Sequence, residues 1–235
     1  MEQSPGDKIL TIDIGGSHIK ATILSSTGEL LMDYQKKVTP VPAYPENIIN
    51  TIKELVQNFP PYNKISVGFP GYVKNGIVQT APNLGNEFWN NIPLRDQLSN
   101  NLAKPVHVVN DADLQGLGVS SGKGFEMVIT LGTGFGTALL NEGKLLPHLE
   151  LAHHPVTKRK DYDQYIGEKA LEKIGETRWN RRMQRVLSIV KTVFNYDHLY
   201  ISGGNSSKLR FTLDDNISIV TNRDGIKGGA KLWQN

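Results

Sequence analysis

The stretch Asp13-Ile14-Gly15-Gly16-Ser17-His18-Ile19-Lys20 decides how this chain is read, because Thr130-Leu131-Gly132-Thr133-Gly134-Phe135-Gly136-Thr137 is written on the same plan. Each follows an apolar run, Ile9 to Ile14 and Met127 to Leu131, and leads into another, Ile19 to Leu24 and Thr137 to Leu140. That is the pattern of a strand, a tight turn and a returning strand. Glycine lets backbone N–H groups come close to an anion, and small hydroxyl residues add donors. One such turn is an ordinary hairpin; two of them are expected to form a phosphate clamp. The rhythm continues into Thr27-Gly28-Glu29-Leu30 and Glu142-Gly143-Lys144-Leu145, which points to a duplication and to two similar lobes around a cleft. Asp13 ends a run that looks buried, where an unpaired carboxylate is expensive. Beside phosphates its natural partner is a magnesium ion, held directly or through water. The plainer alternative is an aspartate that caps the turn.

Bulk properties narrow the function classes. The chain has 235 residues, 38% hydrophobic and 21% charged, enough for one large or two modest domains. A formal net charge of +3 does not by itself argue for nucleic acid, although it suits an anionic substrate. The absence of cysteine excludes disulfides, thiol catalysis and Cys-ligated zinc. Nothing near the start resembles a signal peptide, and no apolar run approaches the roughly 20 residues of a membrane span, so a cytoplasmic protein is expected.

Strand-like runs alternate with helix-like ones, the mark of an α/β fold. Lys8 to Ile14, Ile19 to Leu24 and Leu30 to Val38 predict a meander, and Ile48, Ile49, Ile52, Leu55, Val56 and Phe59 then repeat at helical spacing behind Pro45. Short strands are expected at Lys64 to Phe69 and Val106 to Val109, with a helix over Ile92 to Leu102 between them. The second half repeats the theme, with helices over Tyr162 to Ile174 and Thr177 to Phe194 and strands at Leu199 to Ser202 and Ile217 to Thr221. The lobes are expected to be 1–112 and 113–235, with a hinge near residues 110–120 and the last helix packing back on the N-terminal lobe.

Asn110-Asp111 follows the Val106 to Val109 strand, where open α/β sheets present ligand-contacting residues. An aspartate there can take a proton from a substrate hydroxyl while the asparagine fixes a sugar. Asp before Ala-Asp-Leu is also a good helix N-cap. Both readings stand on local sequence.

Seven ordered motifs carry a family resemblance: Asp13 to Lys20, Gly68-Phe-Pro-Gly-Tyr-Val73, Ala81-Pro-Asn-Leu84, Asn110-Asp-Ala112, Leu131-Gly-Thr-Gly-Phe-Gly136, Glu150-Leu-Ala-His153 and Ile201-Ser-Gly-Gly-Asn205. The chain resembles the ROK family of sugar kinases over nearly its whole length. It looks closest to the polyphosphate glucokinase branch, through Thr39 to Pro45, Leu149 to Pro155, Arg178-Trp-Asn-Arg181 and Phe194-Asn-Tyr-Asp197. The resemblance implies a two-lobed, actin-like and hexokinase-like (ribonuclease H-like) ATPase fold and transfer of a phosphoryl group from polyphosphate or ATP to the glucose 6-hydroxyl. It implies Asp111 as general base, and Gly71, Asn83, Asn110, Glu150, His153 and Asp163 around the sugar. Asp13, with Gly15, Gly16, Ser17 and Lys20, would organise Mg²⁺ and the transferred phosphate. Gly132, Thr133 and Gly134 would hold the phosphates behind it, and Gly203, Gly204 and Asn205 would lie where adenosine sits. It further implies a homodimer, no zinc, no nucleic acid and no membrane partner.

There are departures from the pattern. The cysteine-rich zinc site of many ROK proteins is absent, as in the polyphosphate branch. Ala152 replaces a glycine, His18 a small residue, and Asp163 stands where a longer glutamate grips the sugar. Glu150 and His153, three apart, could merely pair with one another on a helix, and His154-Pro155 suggests a loop instead. Arg178, Arg182 and Arg185 fall at helical spacing, with Arg181 beside them, and with Lys158, Arg159 and Lys160 they could track a long polyanion or form a solvated face. Two other function readings stand beside the glucokinase: a ROK kinase for mannose, fructose or an N-acetyl hexosamine, and a sugar-responsive regulator. Regulators of this family carry a helix-turn-helix domain in front, whereas only a handful of residues precede Lys8.

Overall fold

The computed structural model describes residues 6–234. Two compact units divide the chain: one runs to Gly118 and takes in the chain again from Ile226, the other is Val119–Gly225. The division thus falls after Gly118 rather than after Ala112, which leaves the helix following Asn110 with the first unit.

The first unit is built on β1 (Lys8–Ile14), β2 (His18–Ser25), β3 (Gln35–Val38), α1 (Pro45–Val56) and β4 (Lys64–Phe69). A loop with the short pair β5 (Val73–Lys74) and β6 (Ile77–Val78) follows, then α2 (Asn86–Trp89), α3 (Leu94–Leu102), β7 (Val106–Asn110) and α4 (Asp111–Val119). The sheet order is β3-β2-β1-β4-β7. β1 and β2 are antiparallel, as are β2 and β3, whereas β4 joins β1 and β7 joins β4 in parallel. β4 is buried along its whole length, as a parallel strand with covered faces must be. The isoleucines at 48, 49 and 52 with Val56 are the buried stripe of α1, which opens on Pro45, and they join Ile12, Ile65, Val67, Phe69 and Trp89 in one core. Each such side chain buried contributes about 1.5–3 kcal/mol.

The second unit repeats this topology. It contains β8 (Phe125–Leu131), β9 (Phe135–Asn141), β10 (Lys144–Leu145), the short pair β11 (Pro155–Thr157) and β12 (Lys160–Asp161), α5 (Tyr162–Ile166), α6 (Glu168–Phe194), β13 (His198–Ser202), β14 (Ile217–Ile219) and α7 (Asn222–Gly225). The sheet order is β10-β9-β8-β13-β14. Antiparallel pairs on one side and parallel pairs on the other match the first unit strand for strand. Such a match is what duplication of one supersecondary unit predicts. Its core gathers Met127, Ile129, Leu131, Trp179, Met183, Val186 and Ile201. The Trp179 indole N–H donates to Ile166 O at 2.7 Å and ties α6 to α5.

Three sequence expectations are corrected. Leu30 makes a single bridge to Leu24 and a strand forms only from Gln35, because Thr22 Oγ1 donates to Met32 O and bends the chain between. The helix expected from Ile92 starts at Leu94, after Pro93. The helix expected over Tyr162 to Ile174 breaks at Gly167, whereas the separation expected between Ile174 and Thr177 is borne out by Gly175, at φ +74°, which kinks α6 there. The chain then returns to the first unit through α8 (Gly228–Lys231). There the Trp233 indole N–H donates to Ser66 Oγ at 2.9 Å, and Ser66 Oγ donates to Gly229 O at 2.6 Å. Among the described residues no helix is long and apolar enough to cross a membrane.

Candidate active site

In the first unit the Asp13 turn is closed by Gly15 N–H, which donates to His18 O at 3.0 Å. A Cβ on Gly15 would lie 2.9 Å from that same oxygen, so the tight turn needs glycine. Thr39 shapes the turn from outside: its hydroxyl donates to Gly15 O at 2.6 Å and its N–H to Ser17 O at 3.0 Å. With the carbonyls of Gly15 and Ser17 taken up in this way, Gly16 and Ser17 remain exposed at the tip of the turn. Asp13 pairs with Lys20 across the hairpin and with Gly68 on β4. Lys20 Nζ lies 3.7 Å from Asp13 Oδ2. Burial pushes the Asp13 carboxyl above the usual range, and Lys20 offsets this in part. A largely buried carboxylate with one loosely held cation, beside an exposed glycine turn, fits a hard cation that arrives with phosphates. No three His, Cys, Asp or Glu among the described residues gather into a metal cage, so phosphate and water oxygens would complete the coordination.

The sugar candidates of this unit sit beside that turn. A Cβ on Gly16 would lie 3.6 Å from Asn83 Cβ, so Asn83, exposed on the turn that Leu84 and Gly85 close on Ala81 O, borders the Gly16 turn. Asn110 ends β7, opposite Phe69 of β4. Its Nδ2 donates to Gly71 O at 3.0 Å, and its Oδ1 accepts from Ala112 N–H at 2.8 Å. Buried Asn110 is therefore the residue before α4 that caps it, while one amide proton remains for a ligand. Asp111 Oδ1 accepts from the same Ala112 N–H at 2.8 Å, so the two residues share the cap. A Cβ on Gly68 would come within 3.3 Å of Asp111 Cα, and one on Gly71 within 2.0 Å of Thr80 O. Both glycines are dictated by close approach.

In the second unit the Thr133 turn is braced on three sides. Asp163 Oδ1 accepts from Phe135 N–H at 2.6 Å, Glu168 N–H donates to Gly132 O at 3.2 Å, and buried Asn205 Nδ2 donates to Gly132 O at 3.2 Å. A Cβ on Gly203, at φ +89°, would meet Leu131 O at 2.2 Å, and one on Gly134 would meet Asp163 Oδ1 at 2.7 Å. Gly203 and Asn205 thus brace the Thr133 turn. Thr133 is left exposed at its tip.

Glu150 and His153 flank a single turn of 3₁₀ helix, Leu151–His153, in which His153 N–H donates to Glu150 O at 3.2 Å. They do not form the helical pair that their spacing allows; the imidazole beside the Glu150 carboxylate is His148, with Nε2 3.5 Å from Oε1. Asp163 lies within electrostatic reach of both Glu150 and His153: burial raises its carboxyl, the Phe135 N–H and His153 oppose the shift, and Asp161 and Glu150 add to it. Glu150, His153 and Asp163 are thereby brought together. Sequence reasoning missed His148 and the bracing role of Thr39. Of the arginine stripe, Arg182 Nη1 donates to Tyr165 O at 2.8 Å and its guanidinium stacks 4.5 Å over the Tyr165 ring, with Arg185 at 6.0 Å. Arg178 is exposed.

The ROK family profile matches residues 9–150. The chain is 34% identical over 207 residues to the polyphosphate glucokinase of Mycobacterium tuberculosis (strain CDC 1551 / Oshkosh), covering 84% of this chain and 77% of the relative. It is 33% identical over 157 residues to the glucokinase of Thermotoga maritima, 60% of this chain and 47% of that one. Among solved structures, the inorganic polyphosphate/ATP-glucomannokinase from Arthrobacter sp. strain KM superposes with a TM-score of 0.86 at 31% identity, over 97% of this chain and 98% of that one. A ROK family glucokinase from Streptomyces griseus, solved with glucose and AMPPNP, has the same fold at 20% identity, with a TM-score of 0.79 over 96% and 98% of the two chains. With a family profile over more than half of its length and relatives above 30% identity, the chain belongs to the ROK family, with its two-lobed actin-like fold.

Proposed function

We infer that this protein is a glucokinase that transfers a phosphoryl group from inorganic polyphosphate or ATP to the 6-hydroxyl of glucose. The relatives named polyphosphate glucokinase and glucokinase, and the polyphosphate/ATP-glucomannokinase structure, support this activity. The observation that carries the chemistry is the Asn110 amide, which ties Gly71 O to Ala112 N–H and so sets Asp111 at the head of α4. Asp111 is the general base that accepts the proton of the attacking hydroxyl. In this reading the sugar ligands are Asn83, Asn110 and the Gly71 loop in the first unit, and Glu150, His153 and the second oxygen of Asp163 in the second. Backbone donors of the Gly16 turn with Lys20 receive the transferred phosphate, and the Thr133 turn holds those behind it, with Gly203, Gly204 and Asn205 supporting it. Mg²⁺, held by Asp13 directly or through water, would neutralise phosphate charge during transfer. Phosphoryl transfer depends on positioning and charge stabilisation, and rigid turns supply the first. The same reading takes the protein to act in the cytoplasm as a homodimer.

The test is phosphoryl transfer to glucose assayed in parallel from ATP and from polyphosphate, in wild type and Asp111→Asn. The variant keeps hydrogen bonding but removes the base, so kcat falls about 10²- to 10⁴-fold with glucose binding kept. Retention of half the wild-type kcat would sink the assignment of Asp111, and full activity in excess EDTA would sink the role of Mg²⁺.

A further inference from the structure

We propose that His148 is the positioning residue for the Glu150 carboxylate, and through it a determinant of glucose affinity; this rests on the reading of Glu150 as a sugar ligand. His148, Leu149 and Glu150 lie between β10 and the 3₁₀ turn, and Leu149 is 51% exposed. The side chains on either side of it are drawn inward, His148 to 7% and Glu150 to 31% exposure. Thr137 Oγ1 donates to Leu149 O at 3.3 Å and pins this stretch to β9. Glu150 Oε1 is buried and receives no hydrogen bond among the described residues. The His148 Nε2 atom stands 3.5 Å away, at the outer edge of hydrogen-bond range, so a small rotation of either side chain closes the contact.

The surroundings make such a partner necessary. Glu150 repels the Asp163 carboxyl, while His153 attracts it. A carboxylate that is partly buried beside a second carboxylate turns away unless a donor or a positive charge holds it. His153 serves Asp163 in this way, and His148 serves Glu150. With Oε1 held, the other Glu150 oxygen is fixed in direction and can accept from sugar hydroxyls without first losing its own freedom, which lowers the entropy cost of binding.

The experiment measures kcat and both KM values for His148→Leu, His148→Gln and His148→Asn, for Glu150→Gln, and for His148→Leu combined with Glu150→Gln, with thermal unfolding as a check on folding. His148→Leu removes the donor and is expected to raise the glucose KM about tenfold, the scale of one hydrogen bond to a charged group, with donor KM and kcat little changed. His148→Gln, whose amide reaches the same oxygen, restores most of it; His148→Asn falls short and does not, so the comparison survives if His148→Leu fails to fold. In a Glu150→Gln background the loss of His148 adds little. Equal behaviour of the Gln and Asn variants, a defect confined to kcat, or full additivity with Glu150→Gln would overturn the proposal. An unchanged glucose KM in Glu150→Gln alone would instead show that the sugar-ligand reading itself had failed, and the proposal with it.

Discussion

Gly71→Ala puts one methyl group where the backbone of the next loop already lies. The added Cβ would stand 2.0 Å from Thr80 O, 2.9 Å from Thr80 C and 3.2 Å from Ala81 Cα. To reach ordinary contact the two segments must part by about 1.4 Å, an overpacking that costs about 1–3 kcal/mol. Thr80 cannot simply yield: its hydroxyl accepts from Tyr72 N–H at 3.1 Å, and Gln79 N–H donates to Tyr72 O at 2.8 Å. The movement therefore falls on Gly71, whose carbonyl accepts from Asn110 Nδ2. Loss of that bond loosens the residue next to Asp111, and a displacement of about 1 Å at a reacting group can lower turnover about 10²-fold. The melting temperature should drop by about 2–12 °C, and steady-state kinetics should show a higher glucose KM and lower kcat with polyphosphate and ATP alike. A folded Gly71→Ala protein with wild-type glucose kinetics would refute the reasoning, because it would mean that the Gly71 contact does not position Asp111, the proposed base.

Replacing Arg178, Arg182 and Arg185 by Gln should raise the KM for long-chain polyphosphate more than that for ATP, and the difference should shrink at high salt; since Arg182 also packs on Tyr165, an Arg182→Gln variant should in addition lower the melting temperature, and equal impairment with both donors would return the stripe to a structural face. Asp163, whose folded-state carboxyl is raised by burial, binds its proton more tightly folded than unfolded, so stability declines as pH rises from the ordinary Asp range through the raised value. Asp163→Asn should flatten that part of the melting temperature against pH, and an unaltered profile would show that Asp163 is not the group responsible.

Much of this molecule could be read from residues alone where local chemistry decides. Glycine turns between apolar runs gave both hairpins, and the isoleucine period gave α1. Reading failed where a distant partner decides: Thr22 bends the chain at Met32, so the run from Leu30 does not pair throughout. Within the candidate site, Asp163 stands beside the sugar motif in the resemblance, yet one oxygen serves Phe135 N–H, a residue 28 positions earlier. No spacing rule reveals such a bond. His148 escaped notice for a related reason, because Glu150 and His153 suggested a helical pair, and only the folded chain shows His148 to be the imidazole beside the Glu150 carboxylate.

The return of Ile226 and the residues after it to the first unit has a consequence for how the protein is made. Ala230 and Trp233 share a small core with Ile9 and Leu24, and Trp233 covers Ser66. On the ribosome, the whole of Val119–Gly225 emerges before those residues do. At about 5–20 residues per second, that is a wait of roughly 5–20 s during which the earlier-made sheet stands with one face unsealed. The later-made unit, contiguous in sequence, can meanwhile fold, so the half that holds Asp111 is begun first and completed last.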